Sequence, residues 1–295
     1  VRGLVGALDV SHRASSPEDR AILPHEGIHP AQADSLADRM TQLALNPAPI
    51  LLVHRAPAGV RAVLREVAST EPTDQFADQH QQRHRIWAIR DPATLAALAE
   101  GLAECRALIA DGHHRYAAYL RMQARQPGGA FDRGLAMLVD QEDTPLFLGP
   151  IHRVLTDVSL DDLAAAAETV GVGFAAADRG AALGALGPQT LVVTDGRTWA
   201  TLKLDLPADR AAVEALHDDL VPALPRGPAR IHHHHSVDSA LNQLRRTGGT
   251  AVLMPAPDVD VVLRVAAADR LLPEKATSFQ PKPNPGVLIR SLRDE

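Results

Sequence analysis

A chain of 295 residues, 45% of them hydrophobic, is long enough for one large or two ordinary domains with a sizeable core. A formal net charge of −6 with both signs interspersed disfavours a nucleic-acid partner gripped through its phosphates, and no apolar run approaches bilayer length. The single Cys105 excludes an intrachain disulfide and a four-cysteine zinc site, and points to a reducing, cytoplasmic setting.

Residues 1–10 read as a strand, although the chain begins without Met; the expectation is a chain that lacks an N-terminal segment. After a Ser15-Ser16-Pro17 loop, His25 and Glu26 lie between Pro24 and Pro30, which leave no room for regular helix. A helix is expected over 31–45, a proline-bounded buried strand over 49–54 and a helix over 60–67. Residues 85–89 read as a strand, and Asp91-Pro92 opens a helix through Leu102. An apolar strand over 107–110 then runs into Asp111-Gly112-His113-His114-Arg115-Tyr116, where helical spacing begins with Tyr116, Leu120 and Ala124. Strands follow over 134–139 and 146–155, the second carrying His152-Arg153.

Beyond Thr156 the texture changes. Residues 160–186 read as two alanine-rich helices broken near Gly171-Val172-Gly173. Residues 191–194 and 198–204 form a hairpin in which Asp195-Gly196 suits a primed two-residue turn. Helices are expected over 208–220, from a Ser236 cap to Leu244, and over 259–267, with a strand over 250–254. The tail 272–282 is extended and polar and ends in a short strand near 287–289. Alternating helices and strands define a mixed α/β class. Residues 1–155 form the motif-bearing part; residues 156–295 form a second α/β subdomain whose basic tail completes the site.

Strand, tight glycine turn and helix start gather free amides and a positive dipole end at one point, which suits an anion such as phosphate. Asp111, two imidazoles and the Arg115 guanidinium stand at that point; the alternative is a structural corner in which Asp111 only caps the helix. The four histidines 232–235 cannot all converge, because successive strand residues face opposite ways, and they read as structural or surface groups rather than metal ligands. The glycines between Gly180 and Gly187 lack the following Lys-Ser/Thr of a P-loop and read as a packed helix. No Gly-x-Ser-x-Gly elbow occurs, which argues against an α/β-hydrolase. What remains is His25 with Glu26, the set from Asp111 to Arg115, His152 with Arg153, and Lys275 with Lys282. If these segments converge, they offer the cations, the base and the backbone donors that phosphoryl transfer requires.

These motifs resemble a prokaryotic family described as "domain of unknown function 1015". The resemblance rests on Ile109-Ala110-Asp111-Gly112-His113-His114-Arg115-Tyr116, Pro24-His25-Glu26, Asn46-Pro47-Ala48-Pro49, His84-Arg85-Ile86-Trp87, Ile151-His152-Arg153 and the tail from Leu272 to Lys282. After His25-Glu26 the family's basic, threonine-containing stretch is replaced by Gly27-Ile28-His29. The Asp-Gly-His-His-Arg element is also similar to the phosphate-contacting turn of ParB- and sulfiredoxin-like proteins, a group that includes nucleotide-dependent free-serine kinases. That resemblance implies a ParB/sulfiredoxin-like nucleotide-binding core and a small-molecule kinase using ATP or ADP with Mg2+, with free L-serine as an acceptor that would become O-phosphoserine. The implied catalytic residues are Glu26, Asp111 and His114. Gly112, His113, Arg115, His152, Arg153 and Lys275 would hold the nucleotide, and His25, Tyr116 and Lys282 the substrate. A non-catalytic nucleotide-binding switch of the ParB type is the alternative, and a homo-oligomer is compatible with either.

Overall fold

The computed structural model describes residues 1–293. The first half of the chain runs β1 (Leu4–Asp9), β2 (Ile22–Leu23), α1 (Pro30–Leu43), β3 (Leu45–Asn46), β4 (Ile50–His54), α2 (Ala58–Ser69) and the hairpin β5 (Asp74–Ala77) and β6 (Arg83–Ile86). It continues through α3 (Pro92–Leu102), β7 (Ala107–Asp111), α4 (His113–Arg125), β8 (Arg133–Asp140) and β9 (Phe147–Gly149). Local chemistry sets these bounds. Proline occupies the first turn of α1 and α3, where its missing N–H costs nothing; Asp91 caps α3 by accepting from the Thr94 N–H; and Ala44 closes α1 in the left-handed region.

The second half runs β10 (His152–Thr156), α5 (Leu160–Thr169), β11 (Gly173–Ala177), α6 (Arg179–Ala185), β12 (Thr190–Thr194), β13 (Trp199–Lys203) and α7 (Ala212–Glu214). The wider helical turns of Ala215–Leu220 continue α7, and β14 (Arg230–His234), α8 (Val237–Thr247), β15 (Thr250–Leu253), α9 (Val259–Ala267), β16 (Ser278–Gln280) and β17 (Arg290–Ser291) follow. Ser159 and Asp162 form a reciprocal capping box on α5, and Ser236 caps α8 through the Ser239 N–H.

Two sheets result. The first is five-stranded and mixed, in the order β1-β8-β4-β7-β2; the second is six-stranded, in the order β11-β13-β12-β15-β10-β14, with every neighbouring pair antiparallel. The chain then returns to its first half: β16 pairs with β9 and β17 with β3. Alternation along the strands sorts side chains into layers. Leu51, Val53, Leu108 and Ala110 face inward and share one core cluster with Leu155, Leu191, Val193 and Val252 of the second sheet. Ile50, Leu52 and Ile109 face outward beneath α1 and α4, while Val154, Val192 and Leu253 face outward beneath α6 and α8. Among the described residues no helix is long and apolar enough to cross a membrane.

Several expected elements differ. The two helices expected over 160–186 are α5 and α6, but the break at 171–173 leads into a strand: residues Gly173–Ala177 form β11 at the sheet edge, paired with β13, because ladder partners override the helical preference of alanine. The stretch 146–155 is two strands, parted at Pro150 so that β9 meets the tail and β10 enters the second sheet. The hairpin loop has four residues rather than two, since Thr194 pairs with Trp199, and the Asp195 carboxylate accepts from the Arg197 and Thr198 N–H groups. The expected strand 85–89 lies earlier, as β6 in a hairpin; the helix 208–220 starts only at Ala212; and the last strand is Arg290–Ser291.

One backbone approach pins the second sheet. A β-carbon on Gly249, whose φ is +90°, would lie 2.1 Å from the Leu155 carbonyl oxygen. Gly249→Ala is therefore expected to destabilise the protein by about 2–4 kcal/mol in a urea titration. Gly6→Ala, where nothing lies within 4 Å of the added atom, should stay within about 0.5 kcal/mol of wild type.

Candidate functional site

The corner between β7 and α4 has the shape its sequence implies. Gly112 adopts φ +96°, and α4 starts at His113 with no side chain capping its first turn. Asp111 does not cap the helix. Its carboxylate accepts from Arg115 Nη2 at 2.5 Å and pairs with Lys282 Nζ at 2.7 Å. The Arg115 guanidinium lies across Gly112, about 3.0 Å from where a β-carbon would sit, and its Nη1 also donates to the Pro49 carbonyl. Arg115 thus braces the turn and gathers charge beside the uncapped helix start.

The loop around His25 and Glu26 lies against this corner, and the tail covers both. His25 is fully buried, and its Nε2 is 2.8 Å from Thr277 Oγ1. Its ring packs edge-on against His113, with centroids 4.8 Å apart, and against Phe279. The His25 carbonyl accepts from the Leu272 N–H at 2.8 Å, and Glu26 Oε1 accepts from the Lys275 N–H at 3.0 Å. His114 stacks on His29 and accepts at Nε2 from the His29 N–H at 3.0 Å. From the second sheet, Arg153 reaches the same tail segment and donates through Nη2 to the Lys275 carbonyl at 2.9 Å.

Burial sets the protonation of the imidazoles. It holds His25 well below the usual histidine range, and the neighbouring His113 pushes the same way. Burial pulls His113 down to about 4, with the Asp111 charge opposing the shift. Burial lowers His114 too, with His29 adding to the effect and Glu26 opposing it. Neutral rings therefore line the inner wall at pH 7. The buried Arg153 is brought down to about 10 by desolvation, with Glu26 holding it up.

His25, Glu26, Gly112, His113, His114, Arg115, Arg153, Lys275 and Lys282 thus meet around one corner. Two expected members do not. His152 is adjacent to Arg153 on a strand and so faces the opposite way, into the layer beneath α8, where its Nδ1 accepts from the Met254 N–H at 3.1 Å. Tyr116 packs on the outer core beneath α1, near Arg13 and Arg20, and burial raises its phenol pKa. Sequence reasoning missed Thr277, the partner of His25, and His217 and His233, which stand beside Arg153. The alternation of the histidine run carried the signal for His233, but only the pairing of β14 with β10 selects which histidine faces inward.

Among the described residues no group of three or more His, Cys, Asp or Glu side chains could hold a metal. A magnesium ion here would be carried by nucleotide phosphates with one or two carboxylates, Glu26 and Asp111 being the candidates.

The depressed imidazoles make stability depend on pH. Between pH 4 and 6.5 the unfolded chain holds a proton on the His113 ring that the folded protein does not, so stability falls as the pH drops through that window. The His113 share is about 3 kcal/mol. Urea midpoints at pH 7 and pH 4.5 should separate widely for wild type and less for His113→Asn; equal separations would contradict the assignment.

Three solved structures share the fold at 12% identity. SbnI with C-terminal truncation from Staphylococcus aureus matches with TM-score 0.53, covering 99% of this chain and 90% of that one. Two different mutants of a free serine kinase, one in complex with AMP and the other with ADP, each match with TM-score 0.50, covering 97% of this chain and 92% of theirs. No curated protein matches the sequence. A family model described as "Protein of unknown function (DUF1015)" matches residues 1–222, and the chain belongs to that family.

Proposed function

We propose that the chain is a nucleotide-dependent phosphotransferase acting on the hydroxyl of a small molecule, with free L-serine as the first acceptor to test. The observation that carries this reading is the convergence of the uncapped helix start at Gly112 with Glu26, Asp111, Lys275 and Lys282, drawn from three distant stretches of sequence. Phosphoryl transfer is mainly positioning and charge neutralisation, and these are the groups it uses. The amides of the first turn of α4, oriented by Gly112 and braced by Arg115, bind phosphate oxygens. Lys275 and Lys282 offset the charge that spreads over them. Glu26, held at one oxygen by the Lys275 N–H, accepts the proton of the acceptor hydroxyl, and His114 flanks it. A bound nucleotide with Mg2+ supplies the transferable phosphoryl group. The fold shared with mutants of a free serine kinase in complex with AMP and with ADP supports nucleotide as the donor class. The likeness of the 111–115 turn to ParB- and sulfiredoxin-like proteins supports the same placement of phosphate, with residues 1–155 as the nucleotide-binding part and 156–295 as its complement.

One observation favours a second reading. Both oxygens of Asp111 are engaged, by Arg115 and Lys282, as in a structural ion cluster, which suits a nucleotide-binding switch without turnover.

Purified protein incubated with ATP or ADP, Mg2+ and L-serine is expected to form O-phosphoserine, read by phosphorus NMR. Glu26→Gln and Asp111→Asn should each lower the rate at least ~100-fold. Full activity in both variants would sink the reading. Nucleotide binding with no product from amino acids or sugars would replace it with the switch.

A further inference from the structure

The inward face of the second sheet carries a buried cation that no described carboxylate meets in a salt bridge. Arg153 is 1% exposed, and Glu26 is near enough to favour its charge without pairing with it. Its guanidinium has five N–H donors, of which four are matched by acceptors. Nε donates to His217 Nε2 at 3.3 Å, Nη1 to the Ile151 carbonyl, and Nη2 to the carbonyls of Glu274 at 3.4 Å and Lys275 at 2.9 Å. All four acceptors are neutral: three are carbonyls, and His217 is held unprotonated by burial and by the Arg153 charge. Burying a charge in this way is costly unless an anion meets it.

An imidazole nitrogen with no partner among the described residues stands directly across from it. Arg153 opposes His233 in the β10 and β14 ladder, so the two side chains share a face, next to the pair Leu155 and Ile231 that anchors the inner core. His233 Nε2 is buried and has no hydrogen-bond partner among the described residues. The flanking histidines stand on the other side of the sheet: His232 and His234 face away from Arg153, where His234 Nδ1 meets Ser239 Oγ on α8 at 2.8 Å and its Nε2 is likewise unpartnered among the described residues. One residue links this pair to the proposed base, since Lys275 gives its carbonyl to Arg153 and its N–H to Glu26.

We propose that Arg153 and His233 form a subsite for the carboxylate of the small-molecule acceptor, with His217 and the carbonyls of residues 274–275 holding the guanidinium in position. A carboxylate there accepts from His233 Nε2–H and from the remaining Nη1–H of Arg153. It balances the buried charge and selects acceptors that carry an acid group beside the hydroxyl. Naming the ligand as the acceptor rests on the phosphotransferase reading; the carboxylate preference does not.

The test is calorimetric titration of the full chain, with and without saturating ADP, using L-serine and ethanolamine, which keeps the amine and hydroxyl but lacks the carboxylate. L-serine is expected to bind, and ethanolamine to bind at least ~100-fold more weakly. His233→Ala should weaken L-serine about tenfold, while His232→Ala, on the other face, leaves it unchanged. The His233 ring signals in proton NMR should shift with L-serine and not with ethanolamine, a signature that a purely structural histidine would not give. Equal binding of the two ligands, or unchanged L-serine affinity in folded His233→Ala, overturns the subsite. Carboxylate-dependent binding without phosphorylation from any nucleotide would uphold it and defeat the phosphotransferase reading. Wild-type KM for L-serine in an active His233→Ala enzyme would do the reverse.

Discussion

The tail segment from Leu272 to Lys282 is the seam on which the site depends. Its backbone meets the His25 carbonyl and the Glu26 carboxylate on one side and the Arg153 guanidinium on the other, while Lys282 reaches Asp111. Phe279 and Leu272 sink into the core cluster that joins the inward faces of both sheets. Hydrogen bonds to charged groups are worth about 1.5–3 kcal/mol each, so this short stretch fixes the relative position of loop, turn and strand more firmly than its lack of regular structure suggests. The hydrophobic anchors hold the strap in place, and the polar groups between them define the chemistry.

Charge arrangement follows from that seam. The buried imidazoles at 25 and 113 stay neutral, so the inner wall adds hydrogen-bonding capacity without adding charge. The cations sit at the rim, where Lys275 and Lys282 flank the turn, and at the floor, where Arg153 is buried. A glycine turn at an uncapped helix start, between cations and two carboxylates, suits an anionic ligand. Arg115 acts mostly inward, locking Asp111 and the Pro49 carbonyl, so its contribution is to keep the turn rigid.

Much of this was legible in the sequence because it is local. The corner at Gly112 is written in contiguous residues, and the apolar runs of β4, β7 and β12 are short, pure and bounded by turn residues. What escaped is what only pairing decides. The alanines of β11 suit a helix as well as a strand until β13 supplies their hydrogen bonds. His152 and Arg153 look like one basic pair, yet a strand sends them to opposite layers. Tyr116 lies two residues beyond His114, about 200° further round the helix, and so joins the outer core. His233 is indistinguishable from its three neighbours until the ladder sets it opposite Arg153. The tail contacts, some 250 residues from the loop they clasp, have no local signature at all.

The central claim is that the first turn of α4 receives the phosphates of a nucleotide with Glu26 beside them. A crystal structure of the full chain grown with ADP and Mg2+ tests it most directly. Phosphate oxygens are expected on the backbone N–H groups of His113, His114 and Arg115, with the Glu26 carboxylate facing the terminal phosphate. Nucleotide bound away from that turn, or phosphates directed away from Glu26, would contradict it.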